Sequence, residues 1–135
     1  MTDIDILIPV LNEENSLKEC LESVVSFEIP EKTGVQIYVI DGMSEDRSRE
    51  IIEDFRKKFS NINLLENPNR IQSSALNIGI KQSKSKFILR LDAHSCYPRD
   101  YLLKCHETML RTNSDNVGGI AITEPGSNSY SASVV

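Results

Sequence analysis

Asp92 and His94 are the residues of this chain best placed to do chemistry together. They close the run Phe87-Ile88-Leu89-Arg90-Leu91-Asp92-Ala93-His94-Ser95, where an apolar stretch with one basic interruption gives way to a carboxylate and an imidazole. In a strand, residues i and i+2 lie on the same side, so both groups could face one ion if the extended geometry continues past Leu91. Such a pair suits a borderline divalent metal such as Mn²⁺. The same pair also reads as a strand-end cap followed by a solvated histidine, and spacing alone leaves both readings open. Asp41 ends a second apolar run. Arg70 closes the polar segment Glu66-Asn67-Pro68-Asn69-Arg70. A guanidinium there can grip phosphate through two parallel hydrogen bonds, or it is a solvated loop arginine. Glu13 and Glu14 stand where acids are favoured at a helix start, and solvated helix-start acids are their simplest reading.

These groups need elements to position them. Ile4 to Val10 reads as a strand buried on both faces, being mostly apolar after Asp5. Pro9 cannot donate to a ladder, so pairing is expected to end there. Asn12 or Asn15 can cap the helix that follows, whose apolar positions Leu17, Cys20, Leu21 and Val24 keep the helical period. Pro30 to Gly34 is a turn, Val35 to Asp41 a second strand, and Gly42 permits a tight turn after it. Ser44 can cap a second helix with Ile51, Ile52, Phe55 and Phe59 facing inward. Asn61 to Leu65 is a short third strand, Gln72 to about Gln82 a third helix, and Phe87 to Leu91 the fourth strand. Pro98 suits the first position of a helix running to about Leu110, in which His106 reads as a packed or half-buried side chain. Val117 to Ile122 is a fifth strand, and from Glu124 the chain turns rich in Ser, Gly and Asn.

Strands alternating with helices predict an α/β fold, a three-layer, mostly parallel sheet flanked by helices. Parallel sheets bind ligands outside the carboxyl ends of their strands. The chain places Asn12 and Glu13 beyond strand one, Asp41 beyond strand two, Arg70 after strand three, and Asp92 and His94 beyond strand four. One crevice could collect them all.

Bulk properties narrow the class. With 135 residues and 39% apolar content, one domain or part of a larger one is expected. The net charge of −5 argues against a general nucleic-acid binder. Residues 1–66 hold 7 basic and 15 acidic side chains, and residues 67–135 hold 8 and 5, so the second part is the better host for an anion. Cys20, Cys96 and Cys105 form no CxxC and suggest neither a disulfide framework nor a zinc site. No apolar run is long enough to cross a bilayer and no signal-peptide pattern opens the chain, which predicts a cytoplasmic protein, with the cytoplasmic face of a membrane included. There is no GxGxxG after strand one and no GxxxxGK[ST], so dinucleotide and P-loop folds lack support.

Four segments in order carry a resemblance: Ile8-Pro9-Val10-Leu11-Asn12-Glu13, Val39-Ile40-Asp41-Gly42-Met43-Ser44-Glu45-Asp46, Ala75-Leu76-Asn77-Ile78-Gly79 and Leu91-Asp92-Ala93-His94. Together they resemble the family 2 glycosyltransferases of the GT-A (nucleotide-diphospho-sugar transferase) fold, over essentially the whole chain. Asn67 to Gln72 followed by Arg90 to His94 looks most like the bacterial exopolysaccharide, succinoglycan-type branch. The resemblance implies a nucleotide-sugar donor, a UDP-sugar by preference, held by Pro9, Asn12, Glu13, Asp41, Arg70 and Asp92. It implies Mn²⁺ or Mg²⁺ at Asp92 and His94. The imidazole replaces the second acid of the family's Asp-x-Asp element and favours Mn²⁺.

The resemblance also implies inverting sugar transfer to a glycan or lipid-linked acceptor, in exopolysaccharide or cell-surface glycan synthesis. The family's catalytic base lies in an acceptor half beyond the strand that begins near Val117. Here residues 1–123 are expected to form the ordered core, with 124–135 a tail cut before that half, so the fold is truncated after about the fifth strand. Glu124 has no claim to be the base, and the catalytic residues stay unassigned. The chain is expected to be a fragment that binds donor and exposes a sheet edge prone to self-association. The alternative is a catalytically silent nucleotide-binding or interaction module.

Overall fold

A computed structural model describes residues 2–119. It contains β1 (Thr2–Val10), α1 (Leu17–Val25), β2 (Thr33–Asp41), α2 (Ser48–Lys58), β3 (Ile62–Glu66), α3 (Gln72–Gln82), β4 (Phe87–Arg90) and α4 (Tyr101–Thr112). The four strands are parallel and ordered β3-β2-β1-β4. By its contacts the chain forms two units, Met1–Lys104 and Cys105–Val135. The sheet, α1 to α3 and the start of α4 lie in the first. The described part of the second comprises the rest of α4 and residues 113–119, which form no strand. Of the expected fifth strand, Val117 to Gly119 are therefore not in one, while 120–122 and the tail from Glu124 lie outside the described residues.

β1 is apolar from Ile6 to Val10 because both its faces are covered there. Ile4, Ile6 and Ile8 pack with Leu17, Leu21, Ile52 and Leu102, from α1, α2 and α4, on one side of the sheet. Leu7, with Ile40 of β2, packs against Ala75 of α3 on the other. These are the three layers the alternation predicts, and Leu17, Cys20, Leu21 and Val24 are indeed the buried residues of α1. Asp5, on the Leu7 side, is 3% exposed. It accepts a hydrogen bond from Ser83 Oγ at 2.5 Å and so anchors the residue that ends α3. The free cysteines Cys20, Cys96 and Cys105 form no disulfide, and no described helix is long and apolar enough to cross a membrane.

Pairing does not end at Pro9. Pro9 and Val10 stay in register with Ile40 and Asp41, and Gly42 N–H donates to Val10 O at 2.7 Å. Leu7 O accepts from Leu91 N at 3.0 Å, and alternate residues of a parallel strand turn their backbone groups to opposite neighbours. Pro9 therefore faces β4, whose last paired residue is Arg90 opposite Leu7. Its missing donor falls just past the end of that ladder.

The expected caps are corrected too. α1 starts after Ser16, and neither Asn12 nor Asn15 caps it. α2 starts after Arg47, so Ser44 does not cap it. Asn12, at φ 52°, instead joins the loop after β1 to the loop after β2. Its N–H donates to Ser44 Oγ at 2.9 Å, and its Oδ1 accepts from Glu45 N at 2.8 Å. Glu13 N–H donates to Ser48 Oγ at 2.8 Å, and Glu14 N–H to Asp46 Oδ2 at 3.0 Å. Glu14 Oε2 accepts from Arg47 N at 3.1 Å. Side chains that could have capped their own helices are spent across a gap of more than thirty residues, and the two loops become one ledge. The tight turn that Gly42 permits takes its left-handed residue from Met43, at φ 61°, and no described glycine has a positive φ. Gly42 is needed for close approach, since a Cβ there would lie 3.3 Å from Arg70 Cα and 3.4 Å from Arg70 O.

Two measurements check this packing. A Cβ on Gly79 would meet both δ-methyls of Leu7 at 2.9 Å and Ile40 Cδ1 at 3.2 Å, and both of those side chains are fully buried. Gly79→Val should cost about 1–3 kcal/mol in denaturant unfolding through overpacking; an unchanged midpoint would show that α3 can step off the sheet. The second concerns Asp46. Burial pushes its carboxyl up, but the Ser48 side chain and the N–H groups of Ser48 and Glu14 outweigh that and hold it below the ordinary range. A depressed carboxyl stabilises the fold above its unfolded pKa of about 3.9, and that stabilisation is lost as pH falls through the folded value. Asp46→Asn should thus be less stable than wild type at neutral pH, with the gap in melting temperature closing in acid. A gap independent of pH would remove the carboxylate's charge from the account.

Candidate active site

At the carboxyl ends of the strands lies an open cleft of about 190 Å³. The end of β1 supplies Pro9, Val10 and Leu11, and the loop after it supplies Glu13. The β3–α3 loop and α3 supply Asn67, Arg70, Ile71, Gln72 and Ala75. The segment after β4 supplies Asp92, Ala93 and His94. Small-molecule sites usually span about 300–1,000 Å³, so this cleft accommodates only part of a nucleotide-sugar. A larger groove of about 860 Å³ runs between α1 and α2, but none of the candidate residues lines it.

Pro9, Glu13, Arg70, Asp92 and His94 are thus brought together; Asn12 and Asp41 do not line the cleft. Asn12 serves the ledge beside it. Asp41 is 0% exposed. Its Oδ1 accepts from Ser44 Oγ at 2.5 Å and its Oδ2 from Ser44 N at 3.1 Å. Arg49 Nε is 3.8 Å from Oδ2 and carries the same guanidinium to Glu66 Oε1 at 2.9 Å. The Glu66 contact in turn raises the Arg49 pKa most.

The strand geometry assumed for Asp92 and His94 does not continue. β4 ends at Arg90, and Ala93 and His94 sit in a turn where Ser95 N–H donates to Asp92 O at 3.3 Å. The turn still delivers both side chains to the cleft. His94 is largely exposed, with Nδ1 3.5 Å from Glu13 Oε1. The backbone of this turn is tied down from below. Asp92 N–H donates to Tyr97 Oη at 2.8 Å, Cys20 Sγ to Asp92 O at 3.4 Å, and Ser16 Oγ to Ala93 O at 3.3 Å. Burial drives the Cys20 thiol up to about 12, reinforced by Cys96, Asp92 and Glu13, so it is a packed thiol and no nucleophile. Among the described residues, no group of three His, Cys, Asp or Glu side chains is arranged to hold a metal ion.

Arg70 has φ 62°, and its Nη1 donates to Met43 O at 2.9 Å and lies 3.8 Å from Glu45 Oε1. It therefore spans the cleft wall and the β2–α2 loop. The residue that sets this loop is Asn67, which the sequence reading left out of the site. Asn67 is 1% exposed. Its N–H donates to Asp41 O at 2.8 Å, its O accepts from Arg70 N at 3.1 Å, and its side chain bonds Ile71 O and Ser74 Oγ. An Asn-Pro pair just ahead of a helix was the available signal, since asparagine side chains close such turns on neighbouring backbone. Gln72 was missed as well, and only its place at the start of α3 hints at it.

The chain matches the family described as Glycosyl transferase family 2 over residues 5–133. It is 35% identical over 127 residues to a dolichyl N-acetyl-α-D-glucosaminyl phosphate 3-β-D-2,3-diacetamido-2,3-dideoxy-β-D-glucuronosyltransferase of Methanococcus voltae, spanning 89% of this chain and 39% of that one. It is 33% identical over 114 residues to the succinoglycan biosynthesis protein ExoA of Rhizobium meliloti, spanning 83% of this chain and 34% of that one. The chain thus spans well under half the length of these curated relatives. Among solved structures, S. aureus TarS 1-349 in complex with UDP is similar with a TM-score of 0.72 at 21% identity, over 93% of this chain and 39% of that one. The mannosyltransferase PcManGT from Pyrobaculum calidifontis, in complex with GDP-Man and Mn²⁺, is similar with a TM-score of 0.72 at 20% identity, over 78% and 32%. Those two likenesses speak to the fold and the family match covers nearly every residue: the chain belongs to glycosyl transferase family 2 and has the GT-A fold.

Proposed function

We propose that this chain is the donor-binding portion of an inverting glycosyltransferase, and that its cleft holds the diphosphate of a nucleotide-sugar together with a divalent cation. The observation that carries the reading is the convergence of Pro9, Glu13, Arg70, Asp92 and His94, from three separate strand ends, on one open cleft. The donor set fits a cation only in part. Asp92 and His94 offer one carboxylate and one imidazole, and no third ligand is arranged with them among the described residues. Such a half-shell suits an ion whose other positions are filled by water and substrate phosphate, and the imidazole favours Mn²⁺ over Mg²⁺. When bound, that ion offsets the diphosphate charge and stabilises the leaving nucleoside diphosphate.

The chain's own residues do the rest. Asp92 and His94 orient the diphosphate from the β4 side. The Arg70 guanidinium, with donors left beyond those given to Met43 and Glu45, reaches phosphate from the β3–α3 side. Asp41, buried and outside the cleft, acts on nucleoside binding only indirectly, through the ledge it supports by holding Ser44. The base is uracil in this reading, in keeping with the UDP named for the TarS complex. A role in exopolysaccharide or cell-surface glycan synthesis, with a glycan or lipid-linked acceptor, follows the named activities of the bacterial relatives. No catalytic base is assigned, and the reading concerns donor binding.

Calorimetric titration tests it. UDP should bind more tightly with Mn²⁺ than without, and His94→Ala should reduce that gain about tenfold, equivalent to about 1.4 kcal/mol. Metal-independent binding, or an unchanged Mn²⁺ requirement in His94→Ala, would remove His94 from the site. In the same titrations Arg70→Ala should weaken UDP by about 1.5–3 kcal/mol while leaving uridine nearly unaffected. Equal losses for both ligands would assign Arg70 to the loop alone. Asp41→Ala should weaken UDP by similar factors with and without Mn²⁺, and a loss confined to the metal-containing titration would move Asp41 to the ion.

A further inference from the structure

We propose that Tyr97 is a positioning residue for the donor site, holding the Asp92–His94 turn in register through a hydrogen bond to its backbone; the inference rests on the donor-binding reading above. The side chains of Asp92 and His94 face the cleft from a short turn past the end of β4, so no sheet ladder fixes them. Three groups fix the turn from behind, and only one of them takes an N–H. Tyr97 Oη accepts the Asp92 N–H at 2.8 Å.

Tyr97 is itself held on two sides. Its backbone N–H donates to Ser23 Oγ at 3.2 Å, and that hydroxyl donates to Cys20 O at 2.7 Å, which ties it to α1. Its ring packs edge-on to Phe27 at 6.3 Å and against Tyr101 at 5.1 Å. The ring is therefore a rigid post between α1 and the start of α4, and the hydroxyl at its tip is the point where that rigidity reaches the site. Ser16 Oγ and Cys20 Sγ, on Ala93 O and Asp92 O, are the other anchors, at 3.3 and 3.4 Å. Both take carbonyls, so the Asp92 N–H is left to Tyr97. A ligand pair must be held within a fraction of an ångström to favour one ion–diphosphate geometry, and the post supplies that here.

The test is Tyr97→Phe in the full chain, which keeps the ring and removes the acceptor, with two readouts. In the ligand-free protein, amide hydrogen exchange at Asp92 should accelerate about tenfold while exchange at Ile6 and Ile8 in β1 is unchanged. In calorimetric titrations, the factor by which Mn²⁺ strengthens UDP binding should fall about five- to tenfold. A tyrosine that merely packs would lower the melting temperature and leave both that factor and Asp92 exchange unaltered, and either unaltered readout overturns the inference. A wild-type protein in which Mn²⁺ does not strengthen UDP binding overturns the donor-site reading and this role with it. The exchange readout then still tells the two failures apart, since it reports on the turn without any ligand.

Discussion

Much of this structure depends on the burial of one carboxylate. Asp41 is wholly inaccessible, and a carboxylate in that position must find partners or forfeit several kcal/mol. Its partners come from everywhere around it. Ser44 closes on both oxygens, Arg49 brings positive charge from α2 and shares it with Glu66 on β3, and the Asp41 carbonyl takes the Asn67 N–H from the β3–α3 loop. Ser44 then passes the arrangement on by accepting the Asn12 N–H. Asp41, through its side chain and its carbonyl together, thereby ties the loops after β1, β2 and β3 to one another.

The consequence for the site is preorganisation on one side and controlled exposure on the other. The loops after β1 and β2 are tied to each other by five bonds and the Asn67 turn is tied to Asp41, so the walls that carry Glu13 and Arg70 need little rearrangement to receive a ligand. Across the cleft, His94 projects from a turn and remains largely exposed. An imidazole exposed in this way stays hydrated and accessible from the cleft. The turn beneath it supplies the rigidity that the imidazole itself lacks.

Features that depend on local period were legible in the sequence. The buried face of α1 and the α/β alternation follow from spacing, because a parallel sheet covered on both sides demands continuous apolar strands and one-sided helices. The cleft was legible in outline for the same reason: residues just past strand ends must meet at one edge of a parallel sheet. What escaped depended on partners distant in sequence. Asn12 and Ser44 look like helix caps until the other loop is present to claim them. Pro9 looks like a ladder terminator unless one knows that its nitrogen faces the short strand β4. Gly42 looks like a turn residue, and what keeps it small is Arg70, 28 positions away. Asn67 lies in a segment of the resemblance but its structural role, like that of Tyr97, exists only in the contacts it makes.

The most direct test of the central claim uses the paramagnetism of Mn²⁺. In the isotope-labelled protein with UDP, substoichiometric Mn²⁺ should broaden the amide resonances of Ala93, His94, Glu13 and Gln72, which surround the cleft. Those of Ser83 and Thr33, at the opposite ends of their elements, should keep their widths. Broadening centred on any other cluster of acids, such as Glu53 and Asp54 on α2, or broadening that is the same with and without UDP, would contradict a cleft in which Asp92 and His94 share an ion with a diphosphate.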